Sequence, residues 1–426
     1  MVLYPNNLIK PIQKRWMSFT NDDAAGVRLP AESVLRRLLD VTYHASMLTE
    51  EGRSLRFQVA YCSLSEAGRW NRTNDGGVGP SLMVMPFARE FPFDADSLRR
   101  LAPATDPSRT LIAVHPSSDS GRQKKLLIWG LLEINASTVV SKGVATRLWP
   151  DVFTIASSEP GTVAISRQST HIVRLRQGKI SSPITGLFRD GPVGEFFQSG
   201  VQKLKAGVEK QLGRRLDSEL DDQLFRSSYL DSIRRLLSFI SEAGHGGAVL
   251  MVPEGTKPDG RPLGALVKRK FPCDSNRLWV ALQTDLLGRK KRQLAEFVGN
   301  QPAPTPSPGS LSGVYDAISF VASLAAVDGA LLVTDQLRVL GFGVEVTAAS
   351  KPVSVKRAAD VFGKDAKPIP FDSQGTRHRS AFRFCAGFKG AAAFIMSQDG
   401  GIKAARKLGD DVLVWHDVES EPELIV

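Results

Sequence analysis

A chain of 426 residues has room for two or three domains, each able to bury its own core, and its 42% hydrophobic and 23% charged content is that of an ordinary globular protein. A net charge of +11 favours an anionic partner, whether nucleotide, nucleic acid or membrane surface. Cys62, Cys273 and Cys385 stand alone without Cys-x-x-Cys spacing, which argues against a disulfide framework or a zinc site and for a reducing compartment. No apolar run approaches a transmembrane span and the N-terminus lacks the apolar core of a signal peptide, so the expected location is cytoplasmic, with no membrane partner.

The first thirty residues, punctuated by Pro5, Pro11 and Pro30, read as an irregular arm with a small basic-aromatic patch at Lys14-Arg15-Trp16. Behind Pro30, whose missing N–H is harmless at a helix start, Val34, Leu35, Leu38 and Leu39 predict a helix reaching Met47. Glu50-Glu51-Gly52-Arg53 reads as a solvated turn, and the alternation over 55–61 predicts a half-buried strand. Short apolar runs at 82–85, 111–114, 126–132, 162–166 and 171–175, separated by turn residues, predict a β-rich α+β domain. His115 and His171 have no Cys, Asp or Glu at ligand spacing and read as structural or surface histidines.

Residues 193–242 turn helical, with Phe196, Phe197, Val201, Leu204 and Val208 on one stripe and Leu224, Leu230, Ile233, Leu236, Leu237 and Ile240 on another. Gly246-Gly247 then opens onto Ala248-Val249-Leu250-Met251-Val252, an apolar strand of the kind buried on both faces. A basic, proline-punctuated insertion follows. Lys268-Arg269-Lys270 and Arg289-Lys290-Lys291-Arg292 read as charge runs, without the interleaved aromatics that favour nucleic-acid binding. A helix over 314–325 leads to Asp328-Gly329-Ala330 and a buried strand, an order in which small residues admit a ligand to the backbone while the acid faces it.

Gly375-Thr376-Arg377-His378-Arg379-Ser380-Ala381 packs two guanidinium groups, an imidazole, a hydroxyl and a flexible glycine into seven residues. Arg holds phosphate oxygens bidentately and Gly lets backbone N–H groups approach an anion. The stretch therefore reads as a phosphate grip at an element boundary, ahead of a buried strand predicted over 391–396; a solvated basic loop is the competing reading.

In order along the chain, the Gly-Gly-Ala strand, Asp328-Gly329-Ala330, the grip and a last strand ending in Ser397-Gln398-Asp399-Gly400-Gly401 resemble the diadenylate cyclase domain, over about residues 220–417. The resemblance implies a mixed, twisted sheet surrounded by helices and an active site completed by two protomers face to face. In that family two ATP molecules condense to cyclic di-AMP and two pyrophosphates, each 3′-hydroxyl attacking the α-phosphate of the other nucleotide. The same resemblance assigns catalysis to Asp328, Arg377, His378 and Arg379, and a Mg2+ or Mn2+ ion to Asp328 and Asp399. It assigns nucleotide contacts to Gly247, Ala248, Gly329, Ala330, Gly375, Thr376 and Ser380. The chain departs from the family pattern at Gln398, where members commonly carry a second acid, at Val327, where many have His, and at 340–346, where a Leu-Pro segment is more usual.

Residues 45–53 and the strand at Phe57 resemble the sensor modules placed ahead of some bacterial diadenylate cyclase-like domains. The expected fold class is mixed α/β (α+β). It comprises a β-rich sensor or regulatory domain at 1–190, a helical linker at 191–219, a cyclase-like domain at 220–417 with the insertion at 285–312, and a tail at 418–426. Survival of Asp328 together with Arg377, His378 and Arg379 favours the enzyme. Gln398 and Val327 favour a catalytically silent nucleotide sensor, and nucleic-acid binding ranks third because much of the positive charge lies in the insertion and the grip.

Overall fold

Apolar periodicity sorts the chain into two units, Met1–Pro183 and Ile184–Val426, each built on a β-sheet with helices against it, so the fold is α+β. The computed structural model describes residues 2–16, 28–72, 82–107, 109–117, 125–134, 138–139, 144–145, 150–167, 170–176, 178–181, 184, 186–243, 246–298, 308–348, 354–397 and 401–418.

In the first unit eight strands pair in the order Lys179–Ser181, Thr170–Arg176, Thr162–Arg167, Phe153–Ser157, Phe57–Tyr61, Thr110–Pro116, Leu126–Ile134 and Leu82–Pro92. The Phe57–Tyr61 and Thr110–Pro116 strands run parallel, and the other neighbouring pairs run antiparallel. Helix Glu32–Ser46 buries Leu35, Leu38, Leu39 and Ala45 in the core of this unit, as the spacing predicts. The Glu50–Arg53 turn closes a small hairpin in which Thr49–Glu50 pairs with Arg53–Ser54.

The N-terminal arm is a correction. Pro5–Leu8 forms a 3₁₀ turn and Ile9–Trp16 an α-helix, and Leu8, Ile9, Ile12 and Trp16 are buried in the core. Pro5 opens the first element and Pro11 lies in the first turn of the second, where a missing N–H breaks no hydrogen bond. The prolines therefore marked helix starts rather than irregular chain.

In the second unit nine strands pair in the order Val267–Ser275, Val339–Val346, Ala330–Thr334, Gly247–Val252, Ala392–Met396, Ile402–Leu408, Asp411–Trp415, Ser354–Arg357 and Lys367–Pro368. Strand alternation assigns the two faces. Val249, Met251, Leu331, Val333, Phe394 and Trp415 share a core with helices Gly191–Leu212, Glu219–Glu242, Arg277–Val298 and Pro308–Ser323. Ala248, Leu250, Ala330, Leu332, Ile395 and Val414 share the other core with helix Thr376–Gly387.

Two further expectations change here. The 191–219 segment is part of the second unit's core, with Val193, Phe196, Phe197, Leu204 and Val208 buried, rather than a linker. The 289–292 run begins inside the packing of helix Arg277–Val298: Arg289 pairs with Asp285 at 2.6 Å and Lys290 pairs with Asp221 of helix Glu219–Glu242. Buried cations persist where carboxylates meet them, which a count of charges along the sequence does not reveal.

Phe394 forms a three-ring cluster with Phe188 and Phe197, with their ring centroids 5.8 and 6.0 Å from its own, and so ties the Gly191–Leu212 helix to the middle of the sheet. Phe394→Ala is expected to destabilise this unit by about 3–5 kcal/mol, measured as a lower urea midpoint at an unchanged denaturant slope.

Candidate nucleotide site

Motifs far apart in the sequence reach one end of the second sheet. Strands Gly247–Val252 and Ala330–Thr334 begin there, strand Ala392–Met396 ends there, and helix Thr376–Gly387 starts beside them. The helix is held at both ends from strand Ile402–Leu408. At its start Lys403 Nζ donates to His378 Nε2 at 3.0 Å, and at its far end Lys407 Nζ donates to the Ala386 carbonyl at 3.2 Å.

Register defines a row across the face under this helix. Ala330 pairs with Val344, Ala248 with Ile395, and Ile395 with Lys403. The registers of the adjoining pairs align Ala248 with Ala330 and Lys403 with His416. With strands ~4.8 Å apart, three steps separate Ala330 from Lys403 by roughly 14 Å.

Asp328 lies just before its strand, with a side chain 93% exposed and Lys270 Nζ 3.8 Å from its Oδ2. Lys270 is also 2.9 Å from the Glu345 carboxylate, and that hydrogen bond chiefly raises its pKa. Gly329 has φ +121°, and a side chain there would meet the Gly343 carbonyl carbon at 2.5 Å, so the position admits only glycine. Ala330 and Ala248 lie side by side, almost fully buried, on the motif-helix face. At Gly247 a Cβ would stand 2.7 Å from Ile240 Cγ2 on the opposite face, so the missing side chain makes room for a packed helix.

The grip is the first turn of a twelve-residue helix, with Gly375 as its N-cap and no side-chain cap. The backbone N–H groups of Thr376, Arg377 and His378 have no acceptor within the helix, whereas Arg379 N–H donates to the Gly375 carbonyl at 3.0 Å. No acid lies in the turn, so Arg377, His378 and Arg379 crowd the positive end of the helix dipole. Gly375, Thr376 and Arg377 are exposed, His378, Arg379 and Ser380 are half-buried, and Ala381, Phe382, Phe384 and Cys385 anchor the helix to the sheet. That combination of free N–H groups and basic side chains suits an anion.

Beside His378 the sheet brings up a second histidine. Burial, then the neighbouring basic groups Lys403, Arg357 and His378, push the His416 pKa down to about 3. Its Nε2 is buried and has no hydrogen-bond partner among the described residues. Sequence reasoning missed Lys403, His416, Arg357, Lys270 and Glu345. The available signal was alternation, since Lys403, Ala405 and Lys407 in one strand, and Val412, Val414 and His416 in the next, fall on the same sheet face.

Gln398, Asp399 and Gly400 lie outside the described residues, so the metal contact expected of Asp399 lies there too. Among the described residues, no group of three or more His, Cys, Asp or Glu side chains could hold a metal. Asp328 nevertheless offers an exposed hard-oxygen donor, and Mg2+ is commonly held by one or two carboxylates plus substrate phosphates. The residues fit that mode of binding.

A family described as "Probable sensor domain DACNV" matches residues 25–133, within the first unit. Over those residues the front of the chain is similar to this probable sensor domain. No curated protein matches the chain. A structure titled "The crystal structure of the hypothetical membrane spanning protein from Bacillus cereus" is similar over 50% of this chain and 85% of its own, at 14% identity and a TM-score of 0.22. No described helix of the present chain is long and apolar enough to cross a membrane.

His416 makes stability pH-dependent with a definite sign. Its folded pKa of about 3 lies below the ordinary 6.5, so between those values the unfolded chain binds more protons and stability falls as pH drops. His416→Gln is expected to flatten that fall, measured as a smaller loss of thermal midpoint between about pH 7 and about pH 4.

Proposed function

We propose that the second unit binds ATP and condenses two molecules of it to cyclic di-AMP, as a diadenylate cyclase regulated by the sensor domain. The observation that carries this reading is the shared sheet end, where Asp328-Gly329-Ala330 and the basic first turn of the motif helix meet along one row of strand residues. In this reading Asp328 holds a Mg2+ or Mn2+ ion, whose charge neutralises phosphate oxygens when it is bound. Arg377 and Arg379, with the N–H groups of Thr376 and Arg377, bind phosphate oxygens and keep the α-phosphate in line for attack. Gly329 and Ala330 let the nucleotide lie against backbone, with Ala248 beside them and Gly375 and Ser380 flanking the phosphates. Each condensation forms a 3′-oxygen bond to the α-phosphorus, breaks the bond to the β-phosphate and releases pyrophosphate, while Asp328 accepts the hydroxyl proton. Two protomers face each other because each hydroxyl must reach the other nucleotide.

A catalytically silent nucleotide sensor is the second reading, and the Lys270 ammonium favours it by standing beside the carboxylate that the ion would use. Mass spectrometry of products from ATP, and separately GTP, with Mg2+ or Mn2+ decides between them. The wild type is expected to yield cyclic di-AMP from ATP. Asp328→Asn is expected to cut turnover by about a hundredfold or more while largely sparing ATP binding, and Arg377→Ala to weaken both. Unchanged turnover in Asp328→Asn would remove the metal assignment; nucleotide binding without product, in every condition, would favour the sensor.

A further inference from the structure

Several cations of the second unit are matched by carboxylates. Arg289 faces Asp285, Lys290 faces Asp221, Arg338 faces Asp274 and Glu254, Lys270 faces Glu345, and Lys356 faces Asp411. On the motif-helix face basic groups stand beside one another. Lys403, His416 and Arg357 come from three consecutive strands and gather beside His378.

Alternation puts all three side chains on that face. Arg357 and His416 follow Val355 and Val414 by two residues, Lys403 precedes Ala405 by two, and those three apolar residues belong to the core under the motif helix. From the Lys403 strand to the Arg357 strand is two strand spacings, about 10 Å, so the cluster is elongated. Two further observations point to a ligand. The buried His416 Nε2 has no partner among the described residues, which calls for an explanation. The first turn of the motif helix, free of acids, starts at this edge.

We propose that Lys403, His416 and Arg357, with His378, form a receptor for the terminal phosphates of a nucleoside triphosphate. This rests on the reading of the sheet end as a nucleotide site and names the part that takes the polyphosphate tail. A single carboxylate would meet one or two of these groups, whereas a polyphosphate carries charge along its length and engages the whole cluster. Arg357 and Lys403 donate to its oxygens, and neutral His416 offers a ring nitrogen without adding charge. The bound anion also offsets the basic first turn of the helix.

The test uses the full chain without metal and follows binding of tripolyphosphate, ATP and adenosine by calorimetry. Tripolyphosphate is expected to bind the wild type, and ATP to bind it more tightly. Lys403→Gln and Arg357→Gln should each weaken both ligands by about tenfold, the loss of one charge-assisted contact, with adenosine unaffected. Arg357 is exposed, so its variant keeps the fold and the thermal midpoint. Lys356→Gln, on the opposite face of the same strand, should change neither affinity. Wild-type affinity for tripolyphosphate in both variants, or none in the wild type, overturns the receptor. Equal affinity for tripolyphosphate and ATP overturns its assignment to a nucleotide and leaves free polyphosphate as the ligand. Because no turnover enters the measurement, absence of cyclic di-AMP counts against the reaction and leaves the receptor standing.

Discussion

The double register of strand Gly247–Val252 is the constraint on which the second unit depends. It pairs parallel with Ala330–Thr334 on one side and antiparallel with Ala392–Met396 on the other. A slip of one residue in either ladder would turn Ala248 or Ala330 toward the four-helix face and bring Val249 or Leu331 under the motif helix. The same ladders carry the alignment on to Lys403 and His416. Apolar packing pins the register on both faces, because Val249, Met251, Leu331 and Phe394 fill the four-helix face while Ala248 and Ala330, beside Ile395, line the sheet end under the motif helix.

Charge is distributed against this frame in two ways. Where helices pack on the sheet, cations are matched within the fold, as Arg289 is by Asp285 and Lys290 by Asp221. At the sheet end basic groups also stand close together, beside the positive end of the motif helix. Burial, followed by the neighbouring basic groups, lowers the pKa of His416 and leaves its imidazole neutral.

The first unit divides its sheet unevenly with respect to the sensor match. Residues 25–133 supply helix Glu32–Ser46 and nearly all of four strands that are contiguous in the sheet: Phe57–Tyr61, Thr110–Pro116, Leu126–Ile134 and Leu82–Pro92. The remaining strands, from Phe153–Ser157 to Lys179–Ser181, continue the sheet as an antiparallel meander beyond the match. One hydrophobic core serves both halves, since Phe57, Val59, Ile112 and Ile128 cluster with Phe153, Ile165 and Val173.

Much of the local structure was legible in the residues. Helix Glu32–Ser46, the strands of the first unit that begin with apolar runs, the buried strand Gly247–Val252 and the element boundary at Gly375 all announced themselves through periodicity or composition, because those signals act over a few neighbouring residues. The N-terminal helices were not, since prolines tolerated at a helix start look the same in sequence as prolines that break one. Nor was the packing at Gly247, since nothing in the sequence shows that Ile240 closes on the space a side chain there would need. The sequence by itself determined many of the helices and strands and the charges carried within the Asp328 and Arg377 motifs themselves. Only the tertiary structure decided that Lys403, His416 and Arg357 stand beside His378, because strand register, a property of pairing between distant segments, sets which side chains become neighbours.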